Sequence, residues 1–199
     1  MYLISSAGRV GTTMFIDWLS RYRKTNNRSD RDRMKHLIRP VNYREVERAV
    51  YLFTRQPEQQ AVSLVKRFGN KQVKKLSRKN LHLKNPYSLK FYPYDVFSIE
   101  KVFKNWWFAD GLNYDVAFVC YDSLWQHLGD IVSFLKLTPP ALETFPPRRP
   151  RQGTIEILES DPELERHLQQ IYSPFREFLK KNVPDFYVKH GVLKEGAIF

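Results

Sequence analysis

The sequence predicts an α/β fold: a central parallel sheet flanked by helices, in three layers. Three observations predict it. Short, near-continuous apolar runs with β-branched and aromatic residues recur at 2–6, 51–54 and 115–121. Each is followed by a run with helical periodicity. Strands with no polar alternation are buried on both faces, the signature of a parallel sheet under helices.

The first strand, residues 2–6, leads into a helix over 13–22, where Met14, Trp18, Leu19 and Tyr22 share one face. Residues 24–35, KTNNRSDRDRMK, are too polar for a core and read as a loop. The strand YLFT (51–54), preceded by Ala49 and Val50, is followed by Pro57, which opens the helical run PEQQAVSLVKRF. The third strand, DVAFVCY (115–121), precedes a helix over 123–137. After TPP and FPPRRPRQG comes a last helix with a capping box of Ser160 and Glu163 around Pro162. Leu164, Leu168, Ile171, Phe175 and Phe178 continue it, with a kink expected at Pro174. With neither internal repeat nor low-complexity linker, residues 1–199 read as one domain.

Hydrophobic residues make up 42% of the chain and aromatics 15%, which excludes a disordered chain. One cysteine, Cys120, excludes an internal disulfide framework. No apolar run approaches the roughly 18 residues of a membrane span, and the N-terminus lacks the pattern of a secretory signal, so a soluble, cytoplasmic protein is expected. Lys and Arg number 33 against 21 Asp and Glu, a net charge of +12. Such a balance implies anionic partners without choosing among nucleotide, nucleic acid, acidic glycan and membrane surface.

Two stretches carry chemistry. Gly8-Arg9-Val10-Gly11-Thr12-Thr13 lies between the first strand and its helix, where backbone N–H groups and the helix dipole make an anion nest. It lacks the lysine that follows the second glycine of the standard nucleotide loop, and offers Arg9 instead. The second stretch, RQPEQQAVS, sets Arg55 at a strand's C-terminal end and Ser63 eight residues later on the following helix, within reach of a common pocket. No histidine–cysteine spacing suggests a metal.

GRVGTTM resembles the 5′-phosphosulfate loop of the sulfotransferases that use 3′-phosphoadenosine 5′-phosphosulfate, and YLFTRQPEQQAVSL resembles that family's 3′-phosphate segment, in the family's order. RMKHLIRP is similar to the Lys-x-His-Leu stretch that holds the catalytic base of the cytosolic enzymes, here His36. VCYDSL resembles the motif closing a central strand. RRPRQG with its Pro-containing helix is similar to the C-terminal co-substrate loop, in a form closer to the carbohydrate sulfotransferases. The likeness runs from Met1 to about Asn182.

The resemblance implies a P-loop-type fold and transfer of a sulfuryl group to an acceptor hydroxyl or amine, with carbohydrates among the acceptors, without metal. It assigns Gly8, Arg9, Val10, Gly11, Thr12 and Thr13 to the 5′-phosphosulfate, with Arg9 stabilising the leaving nucleotide. It assigns Arg55 and Ser63 to the 3′-phosphate, and Arg149, Arg151, Gln152 and Gly153 to the C-terminal co-substrate loop, where Arg148, Arg149 or Arg151 supplies the charge. The family pattern departs at two places. His36 follows Arg9 by only 27 positions, which trims the acceptor region. Carbohydrate enzymes often use glutamate as the base, so Glu45 and Glu47 stand beside His36.

Between Glu58 and Asp95 the sequence has no acidic residue but many lysines and arginines, from Lys66 to Lys90. This run is either a border of the site, drawing an anionic acceptor, or a solvated face. Two other functions fit parts of the sequence. A basic nucleic-acid or polyanion binder accounts for the charge but not for the ordered pair of motifs. A small P-loop kinase lacks its Gly-Lys-[Ser/Thr] and an acidic magnesium site.

Overall fold

The computed structural model describes residues 1–77, 81–148 and 152–192. Four strands, β1 (Tyr2–Ser6), β2 (Arg48–Phe53), β3 (Asp115–Cys120) and β4 (Phe186–Lys189), form one sheet in the order β1-β2-β3-β4. The first three run parallel, with Ser6 opposite Leu52 and Phe53 opposite Cys120. The fourth is antiparallel to β3, so the sheet is mixed where the sequence predicts a parallel one. β4 is a four-residue, half-buried edge strand, too short to announce itself by periodicity.

Eight α-helices surround the sheet among the described residues: α1 (Thr12–Leu19), α2 (Pro57–Phe68), α3 (Asn70–Ser77), α4 (Ile99–Trp107), α5 (Leu128–Phe134), α6 (Pro140–Glu143), α7 (Gln152–Ser160) and α8 (Pro162–Asn182). Successive strand residues point to opposite faces, and both faces are apolar. Leu3, Tyr51, Phe53, Val116 and Phe118 belong to a core with α2, α4 and α8. Tyr2, Ile4, Val50, Leu52 and Val119 belong to a second core with α1 and α5. The helix expected over 123–137 is a 3-10 turn, Leu124–His127, followed by α5.

Two local expectations change. The polar 24–35 segment is a loop, yet Asn26, Met34 and Lys35 are buried. The Asn26 side chain accepts from the Ile4 N–H at 2.7 Å and donates to the Ile4 carbonyl at 3.0 Å, so an amide stands in for a neighbouring strand. At the last helix, Pro162 occupies the first turn and Asp161 is the cap, accepting from the Leu164 N–H at 3.0 Å. Ser160 instead ends α7, its hydroxyl donating to the Ile157 carbonyl, and Glu163 pairs with Lys90. α8 runs through Pro174 as a single helix.

Asp95 fastens α4 to α8. Its carboxylate accepts from the N–H groups of Phe97 (3.1 Å) and Glu100 (3.0 Å) and from the buried Tyr172 hydroxyl (2.8 Å). Burial pushes the Asp95 carboxyl upward, and the bonds from Glu100, Tyr172 and Phe97 oppose that. Tyr172→Phe should therefore cost about 1–2 kcal/mol in urea unfolding; a loss within error of zero would show that Asp95 needs no donor from α8.

Candidate functional site

The chain leaves β1 at Ser6 and turns through left-handed backbone at Gly8 (φ 101°), Arg9 (φ 58°) and Gly11 (φ 76°) before α1 begins. At Gly11 the requirement is double, because a Cβ there would lie 2.5 Å from Cε2 of Tyr121 as well as on a strained φ. The turn is held from both sides. The Gly8 N–H donates to Ser6 Oγ at 2.9 Å, and Gln60 Nε2 donates to the Gly8 carbonyl at 2.6 Å. Val10 is fully buried and anchors the middle. Arg9 Nε then donates to Ser63 Oγ at 2.9 Å, joining the two sequence motifs across 54 positions.

A cleft of about 920 Å³ opens over this junction. Gly11, Thr12, Thr13, Met14, Asp17 and Arg21 line it along α1, and Ser63, Lys66, Arg67 and Phe68 along α2. Lys35 and His36 come from the long loop, Tyr121 follows β3, and Gln152, Gly153 and Thr154 open α7. Among the described residues, five cations, Arg9, Arg21, Lys35, Lys66 and Arg67, thus face one carboxylate, Asp17, which is already paired with Arg28 at 3.3 Å. Such a lining favours an anion.

His36 Nδ1 lies 3.1 Å from the Ser6 carbonyl, which can only accept, so Nδ1 carries the proton and Nε2 the lone pair. Burial lowers the imidazole to about 4, the Ser6 carbonyl opposes this, and Lys35 adds to it. The ring is therefore a neutral acceptor at physiological pH. Lys35 Nζ donates to Thr13 Oγ1 and, at 2.8 Å, to the Arg28 carbonyl. Burial also lowers the Lys35 ammonium, with Arg28 and Arg9 adding to that and Asp17 opposing.

Other predicted residues lie elsewhere. Arg55 does not line the cleft: Nε donates to Asp185 Oδ1 at 2.7 Å, and its terminal nitrogens to the carbonyls of Leu179 (3.0 Å) and Val183 (2.7 Å). The side chain ties the end of α8 to the sheet. Glu45 and Glu47 precede β2, at the opposite edge of the sheet and roughly 20 Å of strand away from the cleft. There the Glu45 carbonyl accepts from the Met1 ammonium, and Glu47 pairs with it at 3.1 Å. Neither supplies a base to this cleft. Arg148 is exposed, and Arg149 and Arg151 lie outside the described residues. In the basic run, Lys66 donates to the Gly153 carbonyl at 3.2 Å.

Several lining residues were missed in the sequence although helical spacing could have found some. Lys66 and Arg67, read in the sequence only as part of the basic run, stand three and four positions from Ser63 and share its face of α2. Met14 and Asp17 on α1, and Arg21 just past its end, are related in the same way. Lys35 and Tyr121 carried no such signal. Among the described residues, no helix is long and apolar enough to cross a membrane. Comparison with protein-family models, with curated proteins and with solved structures found no match for the chain.

Two outcomes follow from this geometry. Arg55→Ala should lower stability by about 1–3 kcal/mol, from the loss of charge-assisted bonds, while changing anion affinity less than about twofold. A large affinity loss at unchanged stability would return Arg55 to the site. For His36 the folded value lies below the ordinary 6.5, so between pH 6.5 and 4 the unfolded chain binds the extra proton. Stability should accordingly fall on acidification through that window, by about 3 kcal/mol at most from this group. His36→Gln should flatten that part of the profile in urea unfolding; an unchanged profile would contradict it.

Proposed function

We propose that the chain is a compact sulfotransferase of P-loop type, moving a sulfuryl group from 3′-phosphoadenosine 5′-phosphosulfate to an acceptor hydroxyl or amine. The observation that carries this reading is the Arg9–Ser63 hydrogen bond, which brings the two motifs to one cationic cleft beside a neutral imidazole. The cleft is of nucleotide size, since ligand sites span about 300–1,000 Å³. Its charge suits a donor with several anionic groups.

In this reading Arg9, Thr12, Thr13 and the N-terminus of α1 hold the phosphosulfate. Ser63 holds the 3′-phosphate, and Lys66 and Arg67, about one turn further along α2, supply the charge that Arg55 commits to Asp185. The bound donor provides an activated sulfur whose bond to the nucleotide oxygen breaks as one to the acceptor forms. His36 Nε2 takes the acceptor's proton, and Arg9 offsets the charge left on the nucleotide. A basicity near 4 is low for a general base, but an anion in the cleft raises it by favouring the imidazolium. The acceptor, whether or not it is a carbohydrate, enters from the side of His36.

Calorimetric titration with 3′-phosphoadenosine 5′-phosphate, ADP and ATP-magnesium tests the proposal. The 3′-phosphorylated nucleotide should bind preferentially. Ser63→Ala should weaken it about tenfold and Arg9→Ala about a hundredfold, as expected for one neutral and one charged hydrogen-bonding group. Equal, weak binding of all three, abolished by salt, would overturn the reading in favour of a basic polyanion binder.

A further inference from the structure

We infer that Ser6 is a positioning residue for both halves of the cleft: its hydroxyl turns Thr12 toward a bound anion, and its backbone sets His36. The inference rests on the anion site proposed above and adds a residue to it.

Ser6 is the last residue of β1 and is fully buried. Its hydroxyl makes two contacts, accepting from the Gly8 N–H at 2.9 Å and lying 2.6 Å from Thr12 Oγ1. Its backbone makes two more across the long loop. The N–H donates to the Lys35 carbonyl at 3.2 Å, and the carbonyl accepts from His36 Nδ1 at 3.1 Å. One side chain therefore grips the anion loop while the same residue's peptide groups grip the imidazole segment.

The protons decide what the hydroxyl does. Ser6 and Thr12 each carry one, and a single proton serves the bond between them. With Thr12 donating to Ser6, no proton of Thr12 faces the cleft. With Ser6 donating to Thr12, the Thr12 proton turns to an anion on the loop, while Ser6 still accepts from Gly8. Both arrangements keep both hydroxyls bonded, so switching costs no unpaired buried group. Thr13 is prepared in a parallel way, because its oxygen accepts from Lys35 and its proton is left for the cleft. Alanine at position 6 removes this support from Thr12 and leaves the Gly8 N–H unpaired, while every residue that lines the cleft keeps its own side chain.

Titration with inorganic pyrophosphate tests the inference independently of any nucleotide. Calorimetry would cover the wild type, Ser6→Ala, Thr12→Val and the double variant, with melting temperatures alongside and the His36 imidazole followed by NMR. Each single variant should weaken binding about tenfold and the double variant little further, instead of about a hundredfold, because the two hydroxyls act as one unit. Ser6→Cys, with a weak donor and acceptor, should recover part of the affinity. The upward shift of His36 at saturating pyrophosphate should persist in Ser6→Ala, because alanine keeps the carbonyl that accepts from Nδ1. Additive losses, wild-type affinity in Ser6→Ala, or no pyrophosphate binding by the wild type would overturn the inference. Should Ser6→Ala fail to fold, Ser6→Cys enters the same cycle with the same criterion. Coupling with pyrophosphate but no preference for the 3′-phosphorylated nucleotide would uphold the role of Ser6 and sink the sulfotransferase reading.

Discussion

Parallel pairing of the first three strands is the constraint on which the rest depends. Because β1, β2 and β3 point the same way and are in register, the turns after Ser6, Phe53 and Cys120 leave the sheet at one edge. There they bond to one another. The Asp122 carboxylate accepts from Thr54 Oγ1 at 2.6 Å and from the Arg55 N–H at 2.9 Å, and the Tyr121 N–H donates to the Phe53 carbonyl at 2.7 Å. The Tyr121 ring fills the space that a side chain at Gly11 would need. A one-residue slip of β1 would reverse which side chains meet each core and move Ser6 off both loops it joins. The register is what gathers these loops at one end of the sheet.

Electrostatics then give that edge its preference. Five cations around one cleft repel one another, and two basic groups there, Lys35 and His36, are held below their ordinary values mainly by burial. The protein accommodates this by leaving the imidazole uncharged and by giving the lysine two oxygen acceptors. An anion entering the cleft relieves the same repulsion and restores basicity to the imidazole. Linkage makes the effect reciprocal: whatever raises His36 binds more tightly as His36 takes up its proton. The general positive charge of the chain draws anions to the surface, but this local coupling is what distinguishes the cleft from a basic face.

The sheet's three parallel strands and the glycine loop were legible in the sequence because each rests on local chemistry: uninterrupted apolar residues, or glycines between a strand and a helix. The antiparallel β4 was not, since four half-buried residues at an edge have no period to read. Spacing along one helix put Ser63 in a pocket shared with Arg55, whereas Ser63 lines the cleft with Arg9. The partners of Arg55 and Glu47 were not legible, because each depends on a group far away in the chain, Asp185 for one and the N-terminal ammonium for the other. The polar loop 24–35 was read by composition alone, and composition does not show that an asparagine can complete a sheet edge or that a lysine can be buried on a threonine hydroxyl.

Arg55 illustrates why spacing and position differ as evidence. Side chains alternate along a strand, so Arg55 continues the face of Tyr51 and Phe53, on which α8 packs. That face delivers its guanidinium to the last carbonyls of α8, where a cation is favoured by the helix dipole and by Asp185 alike. Moving it to the cleft would leave those carbonyls and that carboxylate without their shared donor. A second anionic group in the cleft is better met by Lys66 and Arg67, which lie on the same face of α2 as Ser63 and already line the space. Selectivity for a ligand with two separated phosphates would then depend on how α2 is docked, and that docking is itself fixed at the loop by the bond from Gln60 to Gly8.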